Sequence, residues 1–188
     1  MSYEVEIKFR VSDRPALAAR LLEIGAKPGP ILQESDLYFA HPSRDFRVSD
    51  EVLRLRRVED RNWITYKGPK RPGPAKMRRE IEIPFADGGR TREELTELLE
   101  NLGFTKVLEV VKQRAIHTIE SAEHALTITI DELDGIGTFA EVEMVVKSEA
   151  EMAAAQESVR EFAGRLELRD VEPSSYLGIA LAAGRSLA

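Results

Sequence analysis

Residues 3–11 read YEVEIKFRV, and the two faces of this stretch disagree. Tyr3, Val5, Ile7, Phe9 and Val11 are apolar, while Glu4, Glu6, Lys8 and Arg10 between them are all charged. A period of two is the mark of a strand with one dry face. Alternate residues on a strand share a face about 6.5–7 Å apart, so Glu4, Glu6 and Lys8 point together. Two acids followed by two bases on one face need an explanation.

The same parity recurs along the chain. In LRLRR (53–57) Arg54 and Arg56 share a face, and in ITYKG (64–68) Thr65 and Lys67 do. In RREIEI (78–83) Arg78, Glu80 and Glu82 oppose Ile81 and Ile83. Lys112 and Arg114 share a face in VKQRA (111–115). In LTITID (126–131) Thr127, Thr129 and Asp131 oppose Leu126, Ile128 and Ile130. In TFAEVEMVV (138–146) Glu141 and Glu143 oppose Ala140, Val142 and Met144.

The whole chain has 188 residues, enough to bury a core, with 43% apolar and 32% charged residues, as in an ordinary globular protein. No apolar run approaches the ~18 residues of a membrane helix. The first residues enter a strand at once, without a basic-then-apolar leader, so a cytoplasmic location and no membrane partner are expected. The sequence has no cysteine, which excludes disulfides, thiol catalysis and Cys-ligated zinc. A net charge of −6 argues against nucleic acid as a partner, although cations gathered on one inner surface escape that figure.

Helical spacing predicts helices over 13–25, capped by Ser12, over 92–102 with a Thr91/Glu94 capping box, and over 149–164 with a Ser148/Glu151 box. A shorter helix is expected over 174–184, and Gly25 and Gly103 are read as helix stops. Strands are expected over 3–11, 32–39, 51–57, 62–67, 77–85, 106–118, 125–131 and 138–146. The sixth changes phase near residue 111, which suggests a bulge there. KGPKRPGPAK (67–76) reads as a mobile Pro/Gly loop. Residues 3–27 and 79–106 also resemble each other: both open on Glu-x-Glu, enter a helix and end in Leu-Leu-Glu before a glycine. The expectation is a single domain, 1–188, with pseudo-repeat halves at about 1–76 and 77–147 and C-terminal helices over 148–188.

Two arrangements accommodate these strands. One is a half-exposed sheet with its charges in water. The other is a closed barrel with a charged bore, its apolar outside covered by helices. Three features favour the barrel. Acids recur as Glu-x-Glu on three strands while bases concentrate on others. Arginine dominates LRLRRV, and its fork suits phosphate oxygens. The charges lie mid-strand, where burial demands internal pairing or a ligand with a metal. The fold class expected is therefore α+β, an eight-stranded, mainly antiparallel closed barrel.

Lys8, Arg54, Arg56, Lys67, Arg78, Lys112 and Arg114 could surround a polyanion. Six glutamates and Asp131 would repel it unless divalent cations intervene. Carboxylate sites without Cys or paired His suit Mg²⁺ or Mn²⁺. His41, His117 and His124 are scattered without zinc spacing, and no Gly-rich phosphate loop is present. Acids for a metal and bases for oxyanions describe phosphoryl or nucleotidyl transfer.

EVEIK (4–8) resembles the Glu-x-Glu-x-Lys signature of the CYTH superfamily, the triphosphate tunnel metalloenzymes. DLYF (36–39), LRLRR (53–57), ITYKGP (64–69), RREIE (78–82), VKQR (111–114), ITIDELDGIGTFAEVE (128–143) and VEPSSYLGI (171–179) follow in order and resemble further family blocks. Residues 38–57, YFAHPSRDFRVSDEVLRLRR, resemble the class IV adenylyl cyclases more than the family's triphosphatases. The resemblance implies a tunnel that holds a triphosphate end-on with Mg²⁺ or Mn²⁺.

Carried across by position, the resemblance makes Glu4, Glu6, Glu141 and Glu143 metal ligands. Lys8, Arg54, Arg56, Lys67, Lys112 and Arg114 would grip phosphate, with Arg78 a further candidate in competition with Arg79. Glu80 and Glu82 would hold a second metal or orient the bases. Lys8, Lys67 and Asp131 are the catalytic candidates. Arg10 and Arg57 are expected at the rim, Tyr38 and Phe39 in packing. Arg44 and Asp45 lie in a loop open to nucleotide contact or to a solvated turn. Three functions remain: an adenylyl cyclase, a triphosphatase for inorganic, thiamine or nucleoside triphosphate, and a non-catalytic polyphosphate-binding module. The substrate is thus a small triphosphate (ATP, tripolyphosphate or thiamine triphosphate), and the oligomeric state, a homodimer included, is left open.

Overall fold

Every strand of the computed structural model finds two antiparallel neighbours, so the sheet has no outer edge strand. Residues 2–70, 76–120 and 125–186 are described. The strands are β1 (Ser2–Arg10), β2 (Lys27–Ala40), β3 (Val52–Val58), β4 (Arg61–Lys67), β5 (Lys76–Phe85), β6 (Thr105–Glu120), β7 (Ala125–Leu133) and β8 (Gly137–Val146). They close in the order β1-β5-β4-β3-β2-β6-β7-β8, and β8 returns to β1. The helices are α1 (Arg14–Glu23), α2 (Phe46–Ser49), α3 (Gly89–Asn101), α4 (Met152–Arg165) and α5 (Tyr176–Ala182).

Alternation along β1 decides which way the barrel faces. Val5, Ile7 and Phe9 are buried on the outside with Leu126, Ile128 and Ile130 of β7 and Ala140, Val142 and Met144 of β8. Leu17 and Leu21 of α1 and Ala155, Val159 and Ala163 of α4 cover them. A second outer cluster joins Leu37, Phe39, Leu53 and Leu55 of β2 and β3 to Phe46 of α2 and Leu99 of α3. The apolar faces of β1, β2, β3, β7 and β8 thus meet helices rather than the bore, which leaves the bore to the charged face. The coat is incomplete over β5, where Ile83 stays 54% exposed.

Some local expectations are corrected by tertiary contacts. Asp13, not Ser12, caps α1 by accepting from the Ala16 amide at 2.9 Å. Helix α3 starts at Gly89, before Thr91, without a side-chain cap. Its start is held instead by buried Asn62, whose amide donates to the carbonyls of Ala86 and Gly88. Ser148 does bond Glu151, but across a short 3₁₀ turn that precedes α4. Gly25 (φ +78°) and Gly103 (φ +92°) end α1 and α3 in the left-handed region, as expected of helix stops.

The sixth strand has no bulge at residue 111: its ladder with β2 runs unbroken from Leu108 to Ala115. The slips lie at Tyr38/Phe39 and at Pro28/Ile31. The change of phase has another cause. Leu108, Val110, Lys112 and Arg114 all face inward, and the inner face itself turns from apolar to charged along the strand. At the apolar end, Leu108, Val110, Leu133, Phe139 and Tyr38 pack on Tyr176, Ile179 and Ala180 of α5. That helix is no part of the coat; it stops one end of the bore. Within KGPKRPGPAK, residues 71–75 lie outside the described residues, as does His124.

Candidate active site

All eight strands line one cavity of about 370 Å³ inside the barrel, seven of them with charged side chains and β7 with Thr127 and Thr129. Its lining includes the seven expected cations, Lys8, Arg54, Arg56, Lys67, Arg78, Lys112 and Arg114, and an eighth, Lys70. The acids Glu4, Glu6, Glu34, Glu80, Glu82, Glu141 and Glu143 line it too. Of the site residues expected from the sequence, only Asp131 stands behind the wall rather than in it. Arg78 rather than Arg79 faces inward: Arg78 is buried and Arg79 exposed. Arg10 and Arg57 lie partly exposed outside the cavity, Arg44 pairs with Glu51 at 3.0 Å, and Asp45 caps α2.

Buried charges require partners, and the pairing here is ordered by strand register. Asp36 receives Arg56 through two bonds of 2.8 and 2.9 Å and Arg54 through one of 3.3 Å. Glu34 lies 3.2 Å from both Arg56 and Lys112. Asp131 holds Arg114 by two bonds of 2.6 and 2.5 Å, and Arg114 also reaches Glu141 at 2.6 Å. Lys8 lies 3.2 Å from Glu141. Lys67 binds Glu4 and lies 3.2 Å from Glu80, while Glu82 accepts from Thr65 at 3.0 Å.

This pairing leaves donors over. Arg54 Nε, Arg78 Nε, Lys112 Nζ and Thr129 Oγ1 are buried without a hydrogen-bond partner. Arg78 has no ion pair among the described residues, although its register places it opposite Glu4. Unsatisfied buried donors around a cavity are costly unless an acceptor enters it.

Carboxylate oxygens of Glu4, Glu6 and Glu143 lie within 4.8 Å of one another. Burial, then repulsion from Glu4, raises the Glu143 pKa to about 8 despite the nearby Lys67. Three crowded carboxylates, one of them held back from ionising, are a donor set suited to a divalent cation. Glu141 sits one step further along β8, engaged by Lys8 and Arg114.

Three participants escaped the sequence reading. Glu34 and Asp36 are the inward parity of ESDLYF (34–39), set against the outward Leu37 and Phe39. That alternation was legible. Tyr176 was not: its hydroxyl donates to Asp131 at 2.5 Å, a contact concealed by a separation of 45 positions along the chain. Burial, with Glu141 and Asp131, raises the Tyr176 pKa well above its ordinary value and keeps it a donor. The segment before it runs along β1, with the Glu172 amide donating to the Lys8 carbonyl at 2.8 Å.

Glu34 supports a pH prediction. Burial pushes its pKa up, but Lys112, Arg114 and Arg56 outweigh that and hold it at about 2, below the ordinary 4.5. A carboxyl depressed on folding stabilises the fold above its unfolded pKa and loses that effect as pH falls through the folded one. Glu34→Gln should therefore cost on the order of 3 kcal/mol at pH 7. The difference from wild type should shrink from pH 4.5 towards 2. Urea unfolding across that range measures it; a difference independent of pH would assign the loss to packing.

Known proteins share this architecture. Residues 2–176 match the CYTH domain. The MJ0240 protein of Methanocaldococcus jannaschii is 33% identical over 176 residues, covering 93% of this chain and 96% of that one. The adenylate cyclase CyaB of Aeromonas hydrophila is 30% identical over 182 residues, covering 93% and 86%. Among solved structures, the PH1819 protein of Pyrococcus horikoshii superposes with a TM-score of 0.84 at 35% identity, covering 96% of this chain and 99% of that one. With its signature charges gathered in one closed barrel, this chain belongs to the CYTH family.

Proposed function

We propose that this protein is a divalent-metal-dependent enzyme that takes a triphosphate into the barrel, and that its reaction is the conversion of ATP to cyclic AMP and pyrophosphate. The observation that carries the reading is the surplus of buried donors facing a cavity that also holds the Glu4–Glu6–Glu143 cluster. A simple anion binder has no use for three crowded carboxylates. The cyclase reading draws on likeness to the Aeromonas hydrophila cyclase.

Mg²⁺ or Mn²⁺ bound by Glu4, Glu6 and Glu143, with Glu141 alongside, would supply positive charge between these acids and the phosphate oxygens. Arg54, Arg56, Lys67 and Arg78 bind equatorial phosphate oxygens and fix the chain of phosphates along the bore. Asp36 sets the geometry of Arg54 and Arg56 beforehand, and Glu4 and Glu80 that of Lys67, so little reorganisation of these three accompanies reaction. The 3′-hydroxyl forms a bond to the α-phosphorus, the bond from that phosphorus to the bridging oxygen breaks, and the hydroxyl proton is released. Lys8, Lys112 and Arg114, near the α5 end, hold the charge of departing pyrophosphate. Asp131 acts by aligning Arg114.

The test is product analysis after incubation with ATP, tripolyphosphate and thiamine triphosphate, each with Mg²⁺ or Mn²⁺. Cyclic AMP from ATP is the expected result. Orthophosphate instead would assign hydrolysis to the same tunnel, and no turnover of any of the three would overturn an enzymatic reading. Binding has its own measure. Tripolyphosphate with Mg²⁺ at a hundredfold excess over Kd should stabilise the fold by about 2.7 kcal/mol. That corresponds to roughly 5–10 °C in Tm for a chain of this size. An unchanged Tm at saturating tripolyphosphate would speak against the pocket.

A further inference from the structure

At the stopped end of the bore, two ammonium groups share one aromatic ring. Lys8 Nζ lies 3.6 Å from the centroid of the Tyr176 ring, and Lys112 Nζ lies 4.6 Å from it. Both distances fall within the range of cation–π attraction, which strengthens when the cation is desolvated. Here it is: Lys8 and Lys112 are each 2% exposed. The ring is itself fixed. Its hydroxyl donates to Asp131, and its edge meets Phe139 at 5.6 Å and 78°. Lys8 also donates to the Ser174 carbonyl at 3.3 Å, on the same C-terminal segment.

Lys112 adds an independent observation. Carboxylates lie close by, Glu34 at 3.2 Å and Asp131 at 3.5 Å, yet its Nζ makes no hydrogen bond to either. An ammonium group has three donors, and a strand-borne lysine free to move would turn them onto those oxygens. The nitrogen sits instead over the Tyr176 ring at 4.6 Å, without a hydrogen-bond partner among the described residues.

We propose that Tyr176 is a positioning residue: its ring seats the Lys8 and Lys112 ammonium groups so that their charge faces the innermost phosphate of the substrate. The proposal rests on the reading of the barrel as a triphosphate site. It makes the C-terminal helix α5 part of substrate recognition as well as a stopper, because the ring face, more than the bulk of the helix, sets the lysines.

The test measures tripolyphosphate affinity, from the concentration dependence of the Tm shift in Mg²⁺, in four variants. Tyr176→Leu removes the ring face and should weaken binding about tenfold or more. Tyr176→Phe keeps the face and should stay within about threefold of wild type. Ile179→Ala removes apolar packing from the same helix without touching either lysine; it should lower the basal Tm and leave affinity unchanged. Because Tyr176→Leu could fail to fold, phenylalanine and 3,4,5-trifluorophenylalanine are also compared at position 176. The two share a shape, but fluorine withdraws the negative face of the ring, so the fluorinated form should bind more weakly. Wild-type shifts with equal affinity in the two phenylalanine forms would overturn the proposal, as would Ile179→Ala matching Tyr176→Leu. No shift in the wild type would overturn the triphosphate reading and this proposal with it.

Discussion

Glu4→Ala combined with Glu6→Ala is expected to abolish metal-dependent turnover, by roughly 10³-fold or more, while the barrel stays folded. Two of the three clustered carboxylates disappear, and Glu143 alone is a poor site for a divalent cation. The fold should survive for two reasons. Lys67 loses Glu4 but keeps Glu80 at 3.2 Å. Glu143, whose pKa is raised first by burial and then by Glu4, is relieved of that repulsion. Circular dichroism and Tm establish folding, and turnover against Mn²⁺ concentration reads the site. Activity retained at ordinary Mn²⁺ would remove both residues from the catalytic centre.

Asp131→Ala should have the largest effect on stability, about 3–5 kcal/mol. Asp131 is wholly buried and is the double acceptor of Arg114, the acceptor of Tyr176 and a near neighbour of Lys112. Its removal leaves buried donors without an acceptor and a guanidinium held mainly by Glu141. The loss should come from breaking the pair rather than from any intrinsic worth of an ion pair. Asp131→Leu with Arg114→Met should therefore recover much of the stability and none of the activity, since an apolar pair of similar volume is tolerated where a lone charge is not. Chemical denaturation of the single and double variants decides the matter. A double variant no more stable than the single one would show that Asp131 acts through shape alone.

These two sites show how differently residues declare themselves in a sequence. Glu4 and Glu6 were readable because a strand repeats every two residues, and the apolar partners Val5 and Ile7 state which face is dry. Arg54, Arg56, Glu141 and Glu143 followed by the same rule. Glu34 and Asp36 obey it as well and lie within the strand expected over 32–39, but their parity was not read; the observed strand starts earlier, at Lys27. Strand β2 extends back that far because residues 117–118 of β6 pair with it. The role of Asp131 needed more than parity: Arg114 lies directly across the ladder from it, and that register is a property of the assembled sheet.

Local rules also failed where distant groups supplied the missing bonds. Thr91 and Glu94 have the spacing of a capping box, yet α3 begins earlier because Asn62 holds the carbonyls of Ala86 and Gly88. The change of phase in β6 looked like a bulge, but the ladder is regular across 108–115 and its inner face meets two environments. Its first half packs on α5, and its second half meets charge.

From the order of residues alone came the strand periodicity, the choice of a charged bore over a wetted sheet, and most of the side chains that line the cavity. Backbone geometry makes those features local, so they survive in one dimension. The pairing of each arginine with its acid, the clustering of Glu4 and Glu6 with Glu143 from the far end of the chain, and the seat that Tyr176 makes for two lysines came only with closure. Each depends on strand register and on where the last helix returns, and both are set by packing between segments that no spacing rule connects.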